Sequence, residues 1–129
     1  MIDTAIFELI KANAIVLANI GAHIYPGIVP EDVKGAAIRY VVSDDPSEFD
    51  GGGVEAKKKA SVQIDIFHDH YTQNRTLSQS LQKQLHGYKG IQGTENIHLI
   101  DVLDADLTYD SKTREHRTTI TLTVTYTES

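Results

Sequence analysis

Cysteine and tryptophan are absent from this chain of 129 residues, and proline occurs only three times. Without cysteine there is no disulfide and no cysteine-liganded metal site, which suits the reducing interior of a cell. No apolar run approaches the roughly 20 residues that a membrane-spanning helix needs. The N-terminal stretch contains Asp3 and Glu8 and no small-residue cleavage site, so it does not indicate a signal peptide. We expect a soluble protein that is made and used inside a cell and has no membrane partner.

An excess of basic residues is also lacking. Twelve lysines and arginines stand against 18 aspartates and glutamates, and the formal net charge is −6. Nucleic-acid binders normally carry a basic face that neutralises phosphates, so tight nucleic-acid binding is not expected. The length fits one domain, which we place at residues 1–129.

Two segments have the apolar spacing of amphipathic helices. Residues 2–19 carry one apolar stripe, with Asp3 in the first turn and Gly21 placed to end the helix. Residues 72–88 carry a narrower stripe of leucines. The stripe positions are Ile2, Ala5, Ile6, Leu9, Ile10, Asn13, Val16, Leu17 and Ile20 in the first segment and Leu77, Leu81, Leu85 and Tyr88 in the second.

Four segments have the character of strands, and alternation is clearest in residues 117–126, where aliphatic residues alternate with threonines. Residues 36–43 and 60–67 also alternate, and residues 97–105 are mostly apolar. Residues 108–116 are predicted as a polar hairpin loop. The sequence therefore predicts an α+β domain with a single sheet of about four mainly antiparallel strands and two helices packed on one face, in the order α-β-β-α-β-β. Residues 26–30 are predicted to be irregular, because Pro26, Gly27 and Pro30 break regular structure.

The link between the first two strands is unusually long for a hairpin. We predict a long exposed β-arm or loop at residues 43–60, since loops of this length usually have a function or are disordered. Its first limb is acidic and its second limb is basic. The charged residues are Asp44, Asp45, Glu48 and Asp50 in the first limb and Lys57, Lys58 and Lys59 in the second.

Motifs that would indicate catalysis are weak. His68-Asp69-His70 could supply two metal ligands from one strand face, but no third ligand stands out, and the polar end of a strand entering a helix explains the motif as well. His98 could pair with Asp101 or Asp104 for acid–base chemistry, although no nucleophile motif accompanies them. Gly51-Gly52-Gly53 is not followed by the Lys-Ser/Thr of a phosphate loop. We therefore predict no enzyme activity, cofactor or metal site.

Several segments together resemble the tail completion proteins, or tail terminators, of long-tailed bacteriophages and prophages. They are Ile6-x-x-Leu9 in the first helix, Ile24-Tyr25-Pro26-Gly27 with Pro30 after it, Ile38-Arg39-Tyr40-Val41-Val42, Val62-Gln63-Ile64-Asp65-Ile66-Phe67, the helix from Tyr71 to Leu85 with Gly87 after it, and the closing Val124-x-Tyr126. Their order and spacing span residues 2–126.

This resemblance implies a structural virion protein that assembles as a ring, usually a hexamer, on the head-proximal end of the tail tube. The ring would stop tube polymerisation, and its partners would be other copies of itself, the tail tube protein and the neck or head connector protein. The two limbs of the 43–60 arm could meet opposite limbs of adjacent copies. Apolar residues outside any periodic face could await a partner, although two of them, Tyr25 and Ile28, could instead simply cover the end of the first helix. These residues are Tyr25, Ile28, Val29 and Phe49.

Two other functions remain compatible with the sequence. A neck or head-completion connector would also be a small acidic ring-former. A small-molecule-binding or enzymatic α+β domain would need a concave pocket with converging polar groups.

Overall fold

The computed structural model describes residues 2–30, 35–44 and 57–128. Within these ranges it contains three helices and six strands. In chain order they are α1 (Ile2–Lys11), α2 (Ala14–Asn19), β1 (Ile24–Pro26), β2 (Ala37–Asp44), β3 (Lys58–His68), α3 (Tyr71–Leu85), β4 (Gly90–Gln92), β5 (Glu95–Asp110) and β6 (Glu115–Glu128). No helix in the described ranges is long and apolar enough to cross a lipid bilayer.

The six strands form one mixed sheet in the order β1-β2-β3-β6-β5-β4. β1 pairs with β2 in parallel, and the other neighbours are antiparallel. The predicted architecture of about four strands and two helices in the order α-β-β-α-β-β is therefore wrong.

Two strands were not predicted because they are too short to show an alternation of apolar and polar residues. β1 and β4 have three residues each and lie at the two edges of the sheet. Pro26 ends β1, which is compatible with an edge position because proline cannot donate to a second neighbour. The predicted loop at residues 108–116 is also shorter than expected, since β5 continues to Asp110 and β6 begins at Glu115.

The predicted first helix is broken at Asn13. Its side-chain oxygen accepts hydrogen bonds from the N–H groups of Ile15 (3.0 Å) and Val16 (3.1 Å), which caps α2. Its amide nitrogen donates to Ser80 Oγ (3.0 Å) and to Gln84 Oε1 (2.9 Å) on α3. Asn13 thus belongs to a helix–helix junction and not to a continuous apolar stripe.

Replacing Asn13 tests this junction. Asn13→Ala should lower the free energy of unfolding by about 2 kcal/mol, because it removes a cap and leaves two partners on α3 unpaired. Asn13→Asp keeps the capping oxygen and should cost roughly half as much. Urea unfolding measures both, with Asn19→Ala at an exposed position as the control. Equal costs for the alanine and aspartate variants would contradict the bridging role.

The sheet curls around α1. This helix contacts both β2 and β4, although β3, β6 and β5 lie between those strands in the sheet. α3 packs over β3, β5 and β6 on the same face. The buried residues of the helices and of this inner face make one core. Its largest fully buried members are Ile6, Ile10, Ile38, Ile64, Ile66, Leu77, Leu81, Leu85, Ile97, Ile100, Ile120 and Leu122.

Asn74 fastens α3 to the sheet. It is fully buried, and its amide nitrogen donates to the backbone carbonyls of Ile66 and His116, both at 2.9 Å. Its carbonyl oxygen accepts a hydrogen bond from the hydroxyl of Thr118. Every polar atom of this buried amide therefore has a partner, as burial requires.

Two irregularities in β5 explain why its sequence does not alternate cleanly. The pairing with β6 shifts between Ile97 and Leu99 and again between Val102 and Asp104. Each shift adds one residue to β5 and reverses the side to which the following residues point. Ile97, Ile100 and Val102 can therefore all pair with core positions of β6.

Candidate functional site

The face of the sheet opposite the helices is uncovered in the described part of the chain. We call it the outer face. It carries the threonines that alternate with the buried aliphatic residues of β6, and these threonines are half-buried. They are Thr119, Thr121, Thr123 and Thr125. The outer face is therefore a candidate contact surface among the described residues.

A charged cluster lies on the outer face, on the adjacent strands β2, β3 and β6. Asp65 is fully buried and accepts hydrogen bonds from Arg39 (Nε 3.0 Å, Nη2 2.5 Å) and from Arg117 (Nε and Nη2, both 3.2 Å). Thr119 Oγ1 donates to it at 2.7 Å and Gln63 Nε2 at 3.1 Å. The strand register produces this arrangement, because Arg39 and Thr119 are the direct neighbours of Asp65 on β2 and β6.

Both guanidinium groups of this cluster also lie near the ring of Phe67. The distances to the ring centroid are 5.6 Å from Arg39 and 5.5 Å from Arg117. At such distances a cation is attracted to the ring face. The two arginines are therefore held by the carboxylate and by the aromatic ring together.

The ionised form of Asp65 is favoured. Burial by itself would raise the pKa of this carboxyl, but the hydrogen bonds from Arg39, Thr119 and Gln63 and the charge of Arg117 outweigh burial and lower it. Asp65 therefore remains charged in the folded protein, and its oxygens are occupied by these donors. The cluster therefore links β2, β3 and β6 through one carboxylate and holds two arginines in place on the outer face.

A cluster of aromatic rings lies where β3, the hairpin of β5 and β6, and the start of α3 meet. His116 lies 4.7 Å from Tyr109 and 5.5 Å from Tyr71 between ring centroids, and His68 lies 5.6 Å from His70. His68 pairs with His116 in the sheet. His68 Nδ1 accepts the backbone N–H of His70 at 3.0 Å, an arrangement that favours a neutral ring with the proton on the other nitrogen, and Asp69 Oδ1 lies 3.2 Å from the same Nδ1.

The surroundings of His68 also favour its neutral form. Burial is the largest cause that lowers its pKa, and the neighbouring charges of His70 and His116 act in the same direction against Asp69. Glu115 begins β6 directly after the turn from β5. Burial is the largest cause that raises the pKa of this carboxyl, followed by the charges of Asp69 and Asp110. Among the described residues, no set of three or more histidine or carboxylate groups is arranged to hold a metal ion.

The lowered pKa of His68 predicts a pH-dependent stability. As pH falls through about 6.5, the unfolded chain gains a proton that the folded chain resists, so stability should fall between pH 7.5 and 5.5. His68→Asn keeps an acceptor for the N–H of His70 and removes the titration, and its stability should fall less over this range. Urea midpoints at the two pH values measure the effect.

The comparison with the parent protein is essential in this test. Glu115 contributes with the opposite sign, because a raised carboxyl pKa stabilises the fold at low pH and loses that effect as pH rises. Only the difference between parent and variant isolates His68. His98→Asn on β5 is the matched control. Parallel pH profiles for the parent and His68→Asn would contradict the assignment.

Comparisons with known proteins identify the group to which the chain belongs. A family model described as "Tail completion protein gp17" matches residues 4–127, which is nearly the whole chain. The chain belongs to the tail completion protein gp17 family. The resemblance inferred from the sequence is confirmed, and the protein is a structural component of a bacteriophage virion.

A solved structure agrees with this family in fold. A chain in the virion of a native gene transfer agent particle matches with a TM-score of 0.73 and 15% sequence identity, covering 95% of this chain and 91% of that chain. At this identity the likeness establishes the fold alone. A comparison with curated proteins gives no match.

The arm residues predicted as contacts of this tail completion protein are only partly described. Asp45, Glu48, Phe49 and Asp50 lie outside the described residues, and Asp44 is described only as the backbone that ends β2. Lys57 is exposed just before β3, and Lys58 and Lys59 are half-buried at its start, opposite Tyr126 and Thr125. The register Asp44↔Ala60 brings the ends of both limbs to the same end of the sheet.

The predicted apolar contact residues lie elsewhere, at the β1 edge. Tyr25 is half-buried in β1, and its hydroxyl lies 2.9 Å from His23 Nδ1. Ile28 is 79% exposed and Val29 is half-buried. β2 separates this edge from the lysines on β3, so the structure does not bring the two predicted groups together.

The weak acid–base and metal motifs are not assembled into a site. His98 Nε2 lies 3.2 Å from the Thr127 hydroxyl, whereas Asp101 lies 3.8 Å from His86. His68 is buried and its Nδ1 accepts the backbone N–H of His70, and among the described residues no third ligand joins these two histidines.

Sequence reasoning missed the Asp65 cluster altogether. Alternation placed Asp65 on the wet face of its strand, yet the side chain is fully buried. Arg39 is 26 residues away in sequence and Arg117 is 52 residues away. An acid in one predicted strand, with an arginine in each of two others, was the only sign available in the sequence.

Proposed function

We propose that this tail completion protein forms a ring that caps the head-proximal end of the phage tail tube. The ring stops tube polymerisation and presents the surface to which the head–neck connector joins. The observation that carries this proposal is the family match over residues 4–127. The likeness in fold to a chain of a gene transfer agent virion supports it.

The uncovered parts of the structure support an assembly role. One face of the sheet is bare in the described residues, and Ile28 on the β1 edge is 79% exposed. Contiguous exposed apolar groups mark interaction surfaces, and Ile28 is close in sequence to half-buried Tyr25 and Val29. We propose that the subunit is a monomer before it docks and that Tyr25, Ile28 and Val29, together with Phe49, contact a neighbour in the ring.

The charged ends of the 43–60 arm suggest how copies could meet. Lys57, Lys58 and Lys59 lie at one end of the sheet, next to the point where the acidic limb leaves β2 at Asp44. Head-to-tail contacts between the limbs of adjacent copies would close into a ring if the rotation permits. Reversing the three lysines to glutamate should weaken ring assembly and reduce its salt dependence. Unchanged assembly on isolated tails at several salt concentrations would contradict this contact.

The net charge of −6 has a role in the same proposal. DNA leaves the head through the tail, and an acidic ring would repel phosphates and keep the passage free of tight binding. Measurable binding of the purified protein to duplex DNA at physiological salt would contradict this role.

Electron microscopy of particles from a lysate in which this gene alone carries a stop codon tests the proposal. Overlong tails without heads are the expected result. Tails of normal length that remain separate from filled heads would instead indicate a neck or head-completion connector. Normal infectious particles would overturn both, and a rise in melting temperature with a small molecule would then favour a binding or enzymatic domain.

A further inference from the structure

The second half of β5 has an open edge. β4 pairs with β5 only at Glu95–Ile97, and the backbone of Gly87 and Tyr88 bonds to Ile100. From Leu103 to Asp110, no strand in the described part of the chain pairs with that side of β5. Open strand edges are templates to which another extended chain can add.

Two outward-pointing backbone N–H groups along this edge bond to side chains and not to a neighbouring strand. The N–H of Val102 donates to His86 Nδ1 at 3.1 Å, and the N–H of Ala105 donates to Asp104 Oδ1 at 2.9 Å. In an antiparallel ladder, the N–H and C=O of a residue point to the same side, and successive residues alternate. The next outward-pointing groups after Ala105 are therefore those of Leu107 and Tyr109.

A groove of about 300 Å³ runs between this edge and α3. Its helix wall is polar, and its strand wall presents small and apolar side chains. The side chains involved are Arg75, Ser78, Gln79 and Gln82 on α3, and Ala105 and Leu107 on β5. A cleft between a strand edge and a helix accommodates an extended segment that pairs with the strand and places alternate side chains against the helix.

The charge along the edge indicates what kind of segment fits. Residues 101–110 contain four aspartates and no lysine or arginine. Asp104 and Asp106 are exposed on the outer face, and Leu103 (58%) and Tyr109 (54%) are exposed apolar residues of the same strand. Opposite charges directly across neighbouring strands stabilise their pairing, whereas like charges oppose it. A basic strand complements this edge.

We propose that the β5 edge and its groove bind an extended basic segment of another virion protein by adding it to the sheet as a seventh strand. Lysines or arginines of the segment face Asp104 and Asp106 on the outer face. Its alternate small or apolar residues enter the groove beside Ala105 and Leu107. The inference names the kind of partner for the proposed joining role, and it rests on that role.

Titration of the purified chain with a synthetic peptide tests the proposal. The probe is the capped heptapeptide Val-Lys-Thr-Lys-Val-Lys-Thr, and the reference peptide carries glutamate in place of each lysine. Backbone amide shifts in a nitrogen–proton correlation spectrum should change along β5 and α3, and the amides of Leu107 and Tyr109 should gain protection from hydrogen exchange. The glutamate peptide should not bind.

Variants locate the site. Asp106→Lys should weaken binding of the lysine peptide roughly tenfold, because it replaces a cross-strand attraction by a repulsion. Glu8→Lys makes the same change of charge at an exposed position of α1 and should leave the affinity unchanged. Leu107→Pro removes an outward N–H while leaving the ladder to β6 in place, and it should abolish binding.

Four results would overturn the proposal. They are no saturable binding at millimolar peptide, equal binding of the two peptides, equal weakening by Asp106→Lys and Glu8→Lys, and shifts confined to other parts of the chain. A variant with Asp104 and Asp106 both changed to Asn provides a further check. If the peptide does not bind and this variant self-associates, the two carboxylates serve only to prevent the edge from pairing with another copy of the chain. Tail length in the stop-codon particles is a separate readout, so failure of the titration is distinguishable from failure of the proposed function.

Discussion

Asp65→Asn should lower the free energy of unfolding by about 2–3 kcal/mol. The substitution keeps the shape of the side chain but removes the charge that holds Arg39 and Arg117, whose side chains are 25% and 39% exposed. Removing one member of a fully buried ion pair costs more, about 3–5 kcal/mol. The smaller figure applies here because both arginines can regain part of their hydration.

The pH dependence of this difference provides a second readout. The pKa of Asp65 is lowered in the folded state, so its contribution is fully present above the unfolded value of about 3.9 and is lost as pH falls through the folded value. The stabilities of the parent and Asp65→Asn should therefore converge in acid. Urea unfolding at pH 7 and at a series of values below 5 measures this convergence.

Asp101→Asn is the matched control for Asp65. Asp101 pairs with β6 on the same face of the sheet, but its side chain is 52% exposed. Its substitution should change stability by no more than about 0.5 kcal/mol. An Asp65→Asn cost as small as that of the control would show that the two arginines do not depend on the carboxylate.

Leu81→Ala is expected to have the largest effect, a loss of about 3–4 kcal/mol. Leu81 is fully buried between its neighbours Leu77 and Leu85 on the narrow stripe that attaches α3 to the sheet. Truncation removes apolar surface from the core and leaves a cavity, because α3 is also tethered through Asn74 and cannot collapse freely onto the strands.

Leu17→Ala is the control of identical chemistry. Leu17 has helical spacing in the sequence but is 62% exposed on α2, so its truncation should cost less than about 1 kcal/mol. Chemical unfolding with a shared m-value compares the two variants. Similar losses of stability in Leu81→Ala and Leu17→Ala would contradict the exposure of Leu17 on α2.

The spacing of apolar residues within each segment predicted which residues are buried better than it predicted the number and order of strands and helices. Ile64, Ile120 and Leu122 were assigned to one face from alternation alone, and all are fully buried. The two three-residue edge strands and the break at Asn13 were not predicted. A strand of three residues is too short to show a period, and Asn13 fitted the helical stripe by spacing although its role is polar.

The proposed contacts were less accessible to sequence reasoning than the core. The acidic limb of the arm was chosen for its charge and lies mostly outside the described residues, whereas the structure draws attention to Asp65 and to the open edge of β5. Asp104 was considered only as a generic acid–base partner of His98, and Asp106 carried no prediction. Their significance depends on which strand lies beside β5 and where that strand ends.

The sequence by itself determined the family, the absence of disulfides, the acidic charge and the positions of most core residues. The family follows from a resemblance carried by several segments in order, and the other three follow from composition or from spacing along a single segment. Only the tertiary structure decided the strand order, the curl around α1 and the pairing of Asp65 with two distant arginines. Register and strand order are set by contacts between segments far apart in the chain, and the period of one segment does not reveal which strand lies beside it.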